Sequence, residues 1–236
     1  MGEFLVSGHF VEWWPIEGGC IHLCRFDRRH YSAERFDELG VGRFETVRRA
    51  VPERQAEYLA GRYSAGRVLA RLGSASIEVG TGVHREPLWP EGVCGSISHS
   101  GPFALAAASS AAGIGGIGID IESIPADPVE RELVATVLSP IERGRLESLE
   151  LPFATAFIVA FSLKECFFKA AYPRVGRYFG FEAVELLSLE PERGRAALRV
   201  REDLGRGLSE GRRVEGRWRR VTRTRVAGLV VLERAR

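Results

Sequence analysis

Lysine is nearly missing from this chain. Among 33 basic residues in 236, only Lys164 and Lys169 are lysines, and both fall in one short stretch. Cysteine is scarce too. Cys20, Cys24, Cys94 and Cys166 are too few and too scattered for a disulfide framework. Cys20 and Cys24 bracket His22, but no second ligand pair follows at a fixed distance, so buried free thiols are favoured over a metal site. No apolar run approaches the ~20 residues that span a bilayer, so no membrane association is expected. The stretch Met1 to Phe10 has neither the basic start nor the apolar core of a signal peptide, and a cytoplasmic location is the expectation. Internal repeats and disordered linkers are absent as well.

What is present describes an ordinary globular protein: 45% hydrophobic, 27% charged, mean hydropathy −0.07. The length suits one large domain or two small ones. The net charge of +2 hides an uneven distribution, because Pro191 to Arg236 carries fourteen Arg against six acidic residues. Solvated strand faces account for such a surplus; a docking surface for an acidic protein or nucleic acid is the sharper alternative. An Arg-rich nucleic-acid-binding module is therefore the rival reading of the chain.

The first fifty residues read as short strands and loops. Pro52 opens a helix over about Glu53–Leu72, ended by Gly73. Strands follow at Val93–Ser98, Phe103–Ala108 and Ile114–Glu122, with a turn at Ser100-Gly101-Pro102. A second helix is expected over Ala154–Ala171, stopped by Pro173. Strands at Val184–Leu189, Ala196–Arg201, Val214–Val221 and Arg225–Leu232 complete an α+β chain. Gly113-x-Gly115-x-x-Gly118 matches a dinucleotide fingerprint only formally, since that motif needs a helix after it and here a strand follows.

Four stretches carry chemistry. In Ile117-Gly118-Ile119-Asp120-Ile121-Glu122, strand alternation sends the isoleucines to one face, with Asp120 and Glu122 sharing the other, roughly 6–7 Å apart. Two carboxylates at that distance repel unless a cation sits between them, and hard oxygens suit Mg2+; an exposed acidic strand edge is the alternative. On the second helix, Phe157, Phe161, Glu165 and Lys169 recur at four-residue steps, which puts Glu165 in an aromatic stripe. A carboxylate there needs a cation or a proton, unless it is a plain surface Glu165–Lys169 pair. Gly95-Ser96-Ile97-Ser98-His99 places a histidine at a Gly/Ser-rich turn, where it suits donation to a phosphate oxygen better than activation of a neighbouring serine. Arg54 and Arg62 lie about 12 Å apart along a helix and ~80° around it, fit to hold separate phosphates or simply to be solvated.

Asp120-x-Glu122 followed by Phe161-Ser162-x-Lys164-Glu165-x-x-x-Lys169 resembles the signature of the 4'-phosphopantetheinyl transferases, the enterobactin- and surfactin-synthetase type in particular. Gly-Ser-Ile-Ser-His, the helix from Arg54 through Glu57 to Arg62, Glu86-Pro-x-Trp-Pro and Phe179-Gly-Phe-Glu182 are similar to further family blocks in the same order. The resemblance implies two similar α+β halves in a pseudo-dimeric arrangement, here 1–112 and 113–236, with CoA between them. It implies Asp120, Glu122 and Glu165 as Mg2+ ligands, with Mn2+ as the substitute ion. It further implies Arg54, Arg62, Arg85, Ser98, His99 and Lys164 as CoA contacts, His84 being the alternative to Arg85, and Glu165 and Lys169 as catalytic residues. The implied reaction moves 4'-phosphopantetheine from CoA to a serine of an apo acyl or peptidyl carrier protein, releasing adenosine 3',5'-bisphosphate. The expected protein is a monomer that binds CoA and a carrier, with no nucleic acid.

Overall fold

The computed structural model describes residues 3–234. Met1, Gly2, Ala235 and Arg236, at the ends of the Met1–Phe10 and arginine-rich stretches read above, lie outside the described residues. The chain divides into two units, Met1–Ile114 and Gly115–Arg236.

In the first unit, β1 (Leu5–Phe10), β2 (Gly19–Phe26), β5 (Cys94–Ser100) and β6 (Phe103–Ser109) form an antiparallel sheet of order β1-β2-β6-β5. A small ribbon pairs β3 (Gly80–Thr81) with β4 (Pro87–Leu88). One long helix, α3 (Pro52–Arg71), packs on the sheet; Pro52 starts it without losing a needed hydrogen bond, and Gly73, at φ +70°, turns the chain out of it. Alternate β2 side chains meet this helix one turn at a time. The Cys20 thiol points to the Val68 carbonyl, His22 Nδ1 lies 3.2 Å from Ser64 Oγ, and the Cys24 thiol donates to the Ala60 carbonyl. Positions 60, 64 and 68 are one helix face. The three residues are therefore packing groups, and all four cysteines are free. Short helices α1 (Arg35–Glu38) and α2 (Glu45–Arg48) occupy part of the segment expected to hold only strands and loops.

The second unit repeats the plan with β7 (Ile114–Ser123), β8 (Val184–Glu190), β9 (Arg195–Val200), β10 (Arg213–Thr222) and β11 (Arg225–Glu233), in the order β7-β11-β10-β9-β8. Its long helix, α6 (Phe153–Val175), packs on β10 and β11 through Leu163 and Cys166. Burying Leu163, Phe167, Leu198 and Val230 contributes about 1.5–3 kcal/mol each. Glycine sets how closely α6 approaches β7. A Cβ at Gly116 would collide with the Ala170 carbonyl, and one at Gly118 with the Cys166 carbonyl. The next residue on that face is Asp120.

Two expectations fail here. Pro173 does not stop α6, which runs to Val175 and ends at Gly176 with φ 69°. Placed in the last turn, the proline forfeits one bond to the Lys169 carbonyl, and the Gly176 N–H closes the helix on Tyr172. Helices α4 (Arg131–Val137) and α5 (Pro140–Glu147) were not expected at all, although Ser139 and Glu142 form a capping box with signals on both sides. No helix among the described residues is long and apolar enough to cross a membrane.

Candidate active site

Strand β7 and helix α6 bring four of the expected residues together. Asp120 is 2% exposed, and its Oδ1 accepts from Lys169 Nζ at 2.6 Å; the same ammonium lies 3.4 Å from the Ile119 carbonyl. Glu122, two residues along the same strand, and Glu165, one helical turn before Lys169, complete the group. Their titration shows how crowded the charge is. Burial pushes the Glu122 carboxyl up to about 7, the Asp120 charge and then Glu165 add to it, and Lys169 opposes. Burial also raises Glu165, against Lys169 and with Asp120. Burial works against the Lys169 ammonium, but Asp120 outweighs it through charge and hydrogen bond, so its pKa is held above the usual range. Three carboxylates around one ammonium leave a surplus of negative charge that a cation or protons must meet.

Lys164 goes elsewhere. On α6 it lies 100° from Glu165 and 140° from Lys169. Its ammonium donates to the carbonyls of Val137 at 2.8 Å and Phe181 at 3.2 Å, and sits 2.8 Å from Glu142 Oε1, with the residue only 2% exposed. The resemblance implied a CoA contact for Lys164, and the partners it meets here are protein groups.

The first unit gathers a second cluster. Arg54 Nη1 donates to His99 Nε2 at 2.5 Å, which leaves the imidazole proton on Nδ1, 3.6 Å from Glu57 Oε2. Glu57 also pairs with Arg28 at 2.5 Å and Arg54 at 3.4 Å. Three basic groups thus surround one carboxylate. Arg28 and Glu57 were not singled out as site residues, though Glu57 stands three positions after Arg54 on α3. The other expected contacts are dispersed. Arg62 is buried, donating to the Gly80 carbonyl at 2.8 Å and Thr81 Oγ1 at 3.0 Å, with its guanidinium over the Tyr58 ring. Ser98 is buried on β5, and Arg85 is exposed in the β3–β4 turn at φ 68°.

Two family models match the chain: the 4'-phosphopantetheinyl transferase N-terminal domain over residues 43–109, and the 4'-phosphopantetheinyl transferase superfamily over 116–212. Enterobactin synthase component D of Salmonella typhi is 35% identical over 185 residues, covering 78% of this chain and 75% of the relative. The chain belongs to the 4'-phosphopantetheinyl transferase superfamily. Enterobactin synthase component D of Escherichia coli K12 is 37% identical over 66% of this transferase and 73% of its own length. The 4'-phosphopantetheinyl transferase Svp of Streptomyces mobaraensis is 37% identical over 73% of this chain and 70% of its own. The crystal structure of the Thermotoga maritima holo-[acyl-carrier-protein] synthase aligns with a TM-score of 0.40 and 25% identity, over 51% of this chain and 64% of that one. Asp120, Glu122, Glu165 and Lys169 all lie in the region matched by the superfamily model, and Arg54, Glu57 and His99 in that matched by the N-terminal one.

Proposed function

We propose that this chain transfers the 4'-phosphopantetheine group of CoA to a serine hydroxyl of an apo carrier protein, releasing adenosine 3',5'-bisphosphate. The observation that carries the reading is the pairing of buried Asp120 with half-buried Lys169, with Glu122 and Glu165 beside them, inside the matched superfamily region. Diphosphate chemistry relies on positioning and on neutralising charge, and this cluster supplies both signs of charge in a low-dielectric setting.

The donor set suits a hard divalent cation. Asp120, Glu122 and Glu165 offer only oxygens, and their mutual repulsion favours a bound positive charge. Among the described residues, no three acidic, histidine or cysteine side chains are gathered as a ready-made metal site. Mg2+ keeps waters and takes substrate phosphate oxygens in place of a full protein cage. The three carboxylates would hold Mg2+, with Mn2+ as substitute, and when bound the ion neutralises diphosphate charge. Lys169 holds Asp120 in its rotamer and adds a cation beside the reacting phosphate. We assign Glu165 the serine proton, taken directly or through a water. Arg54 and His99, already polarised around Glu57, would receive a CoA phosphate, with Arg62, Arg85 and Ser98 as further CoA contacts.

The carrier is proposed to be of the peptidyl type used in siderophore and related assembly, on the strength of the relatives named for enterobactin synthase. Incubation with fluorescent CoA, Mg2+ and a panel of apo acyl and peptidyl carrier domains tests the reading. Labelling of a peptidyl carrier at its serine is the expected result, and no labelling of any carrier would refute it.

A further inference from the structure

Lys164 and Glu142 form a buried ion pair whose polar groups are all engaged. Both residues are 2% exposed. The three ammonium protons are all used, on Glu142, the Val137 carbonyl and the Phe181 carbonyl. Glu142 is equally occupied. Its Oε1 accepts from the Leu186 N–H at 2.7 Å as well as facing Lys164, and its Oε2 accepts from the Ser139 N–H at 2.8 Å. One pair of side chains thereby joins α6 to the end of α4, the cap of α5, the turn before β8 and β8 itself.

Stability alone does not explain such a pair. Two charges taken out of water lose most of their Coulomb gain to desolvation, and a well-packed apolar pair serves as well. What a saturated pair adds is a unique geometry. Lys164 pins one side of α6, while Gly116 and Gly118 let the same helix settle against β7 on another. Glu165 is the very next residue and Lys169 follows at 140°, so fixing the rotation of α6 at Lys164 fixes where both groups meet Asp120.

We propose that Glu142 and Lys164 are positioning residues for the transfer reaction, setting the rotation of α6 that holds Glu165 and Lys169 against β7, and that neither side chain touches CoA. This rests on the transferase reading above. The test compares Glu142→Gln, Lys164→Met and the double variant, measuring thermal melting together with kcat and KM for CoA in the carrier-labelling assay. Each single variant strands a buried charge, so each should melt below wild type and lose at least about tenfold in kcat. The double variant removes both charges; its melting temperature should return towards wild type while kcat stays at least about tenfold down and KM for CoA changes less than about twofold. Recovery of kcat together with melting in the double variant would reduce the pair to a stability element and overturn the proposal. So would a Lys164→Met protein whose KM for CoA rises while kcat and melting are kept, because that pattern marks a phosphate contact. A wild-type protein that labels no carrier removes the transferase reading, and the silent wild-type control tells that failure apart from these two.

Discussion

Replacing Gly118 with alanine tests the packing that builds the site. A Cβ there would overlap the Cys166 carbonyl oxygen and crowd its carbon and the Ala170 nitrogen. All three atoms belong to the α6 backbone, so no side chain can swing away. Overpacking costs about 1–3 kcal/mol where neighbours can yield, and a backbone obstacle puts this case near the top of that range. Alanine also lowers the entropy of the unfolded chain, a gain of only about 0.4–1 kcal/mol, so the clash wins. For a chain of this length roughly 3 kcal/mol corresponds to a melting temperature lower by about 6–12 °C. The same displacement stretches the 2.6 Å Lys169–Asp120 contact, and a misplacement near 1 Å costs about 10²-fold in rate. Gly113→Ala is the control: no atom lies within 4 Å of its added Cβ, and it should stay within about 0.5 kcal/mol of wild type. Thermal melting and carrier labelling of both variants are the assays. If Gly118→Ala melts and labels like Gly113→Ala, the close approach of α6 to β7 is wrong.

Asp120→Asn keeps the shape of the side chain and removes the charge that faces Lys169; transfer should fall by about 10²-fold or more while circular dichroism stays native, and undiminished labelling would discard Asp120 from the site. Lys164→Arg should lower the melting temperature despite keeping the charge, because acceptors at 2.8, 2.8 and 3.2 Å enclose a compact ammonium; wild-type melting would show that a planar guanidinium fits there. His22 gives a pH prediction. Burial lowers its pKa to about 4, with Arg67 and His9 adding to the effect. The unfolded chain, titrating near 6.5, therefore takes up a proton that the folded chain refuses. Stability is full above pH 6.5 and falls as the pH drops towards 4, by up to roughly 3 kcal/mol. His22→Gln should flatten urea-melt stability across that window, and an unchanged slope would exclude His22 as its source.

Regular elements were legible where local chemistry was loud. Pro52 and Gly73 bracket α3 to within a residue, and apolar runs between turn residues marked β5 to β7 and the last four strands. Asp120 and Glu122 were readable as a same-face pair for the same reason. Quieter features escaped. Pro173 looks like a terminator, yet a proline in a final turn forfeits a single bond, and Gly176 is the real end. The capping box from Ser139 to Glu142 was in plain sight but had no apolar periodicity behind it strong enough to announce a helix. Arg62 reads as a solvated or ligand-binding residue from its helical spacing alone; its acceptors on Gly80 and Thr81 arrive from a two-residue strand that no periodicity would reveal. Partner identity is the general limit, since Glu142 stands 22 positions before Lys164 and only the fold brings them together.

The two lysines share one short stretch of sequence but stand in different surroundings. Helical geometry separates them by 140°, and each meets a different set of acceptors. Lys169 reaches Asp120 Oδ1 and the Ile119 carbonyl on β7; Lys164 reaches Glu142 and two carbonyls from different segments. What the sites share is acceptors arriving from separate directions in a confined space. An ammonium satisfies these with single donors it can rotate. A guanidinium would bring five donors in one plane, more than the three acceptors around Lys164 can meet. The shape of the cage around each charge favours lysine over arginine at both positions.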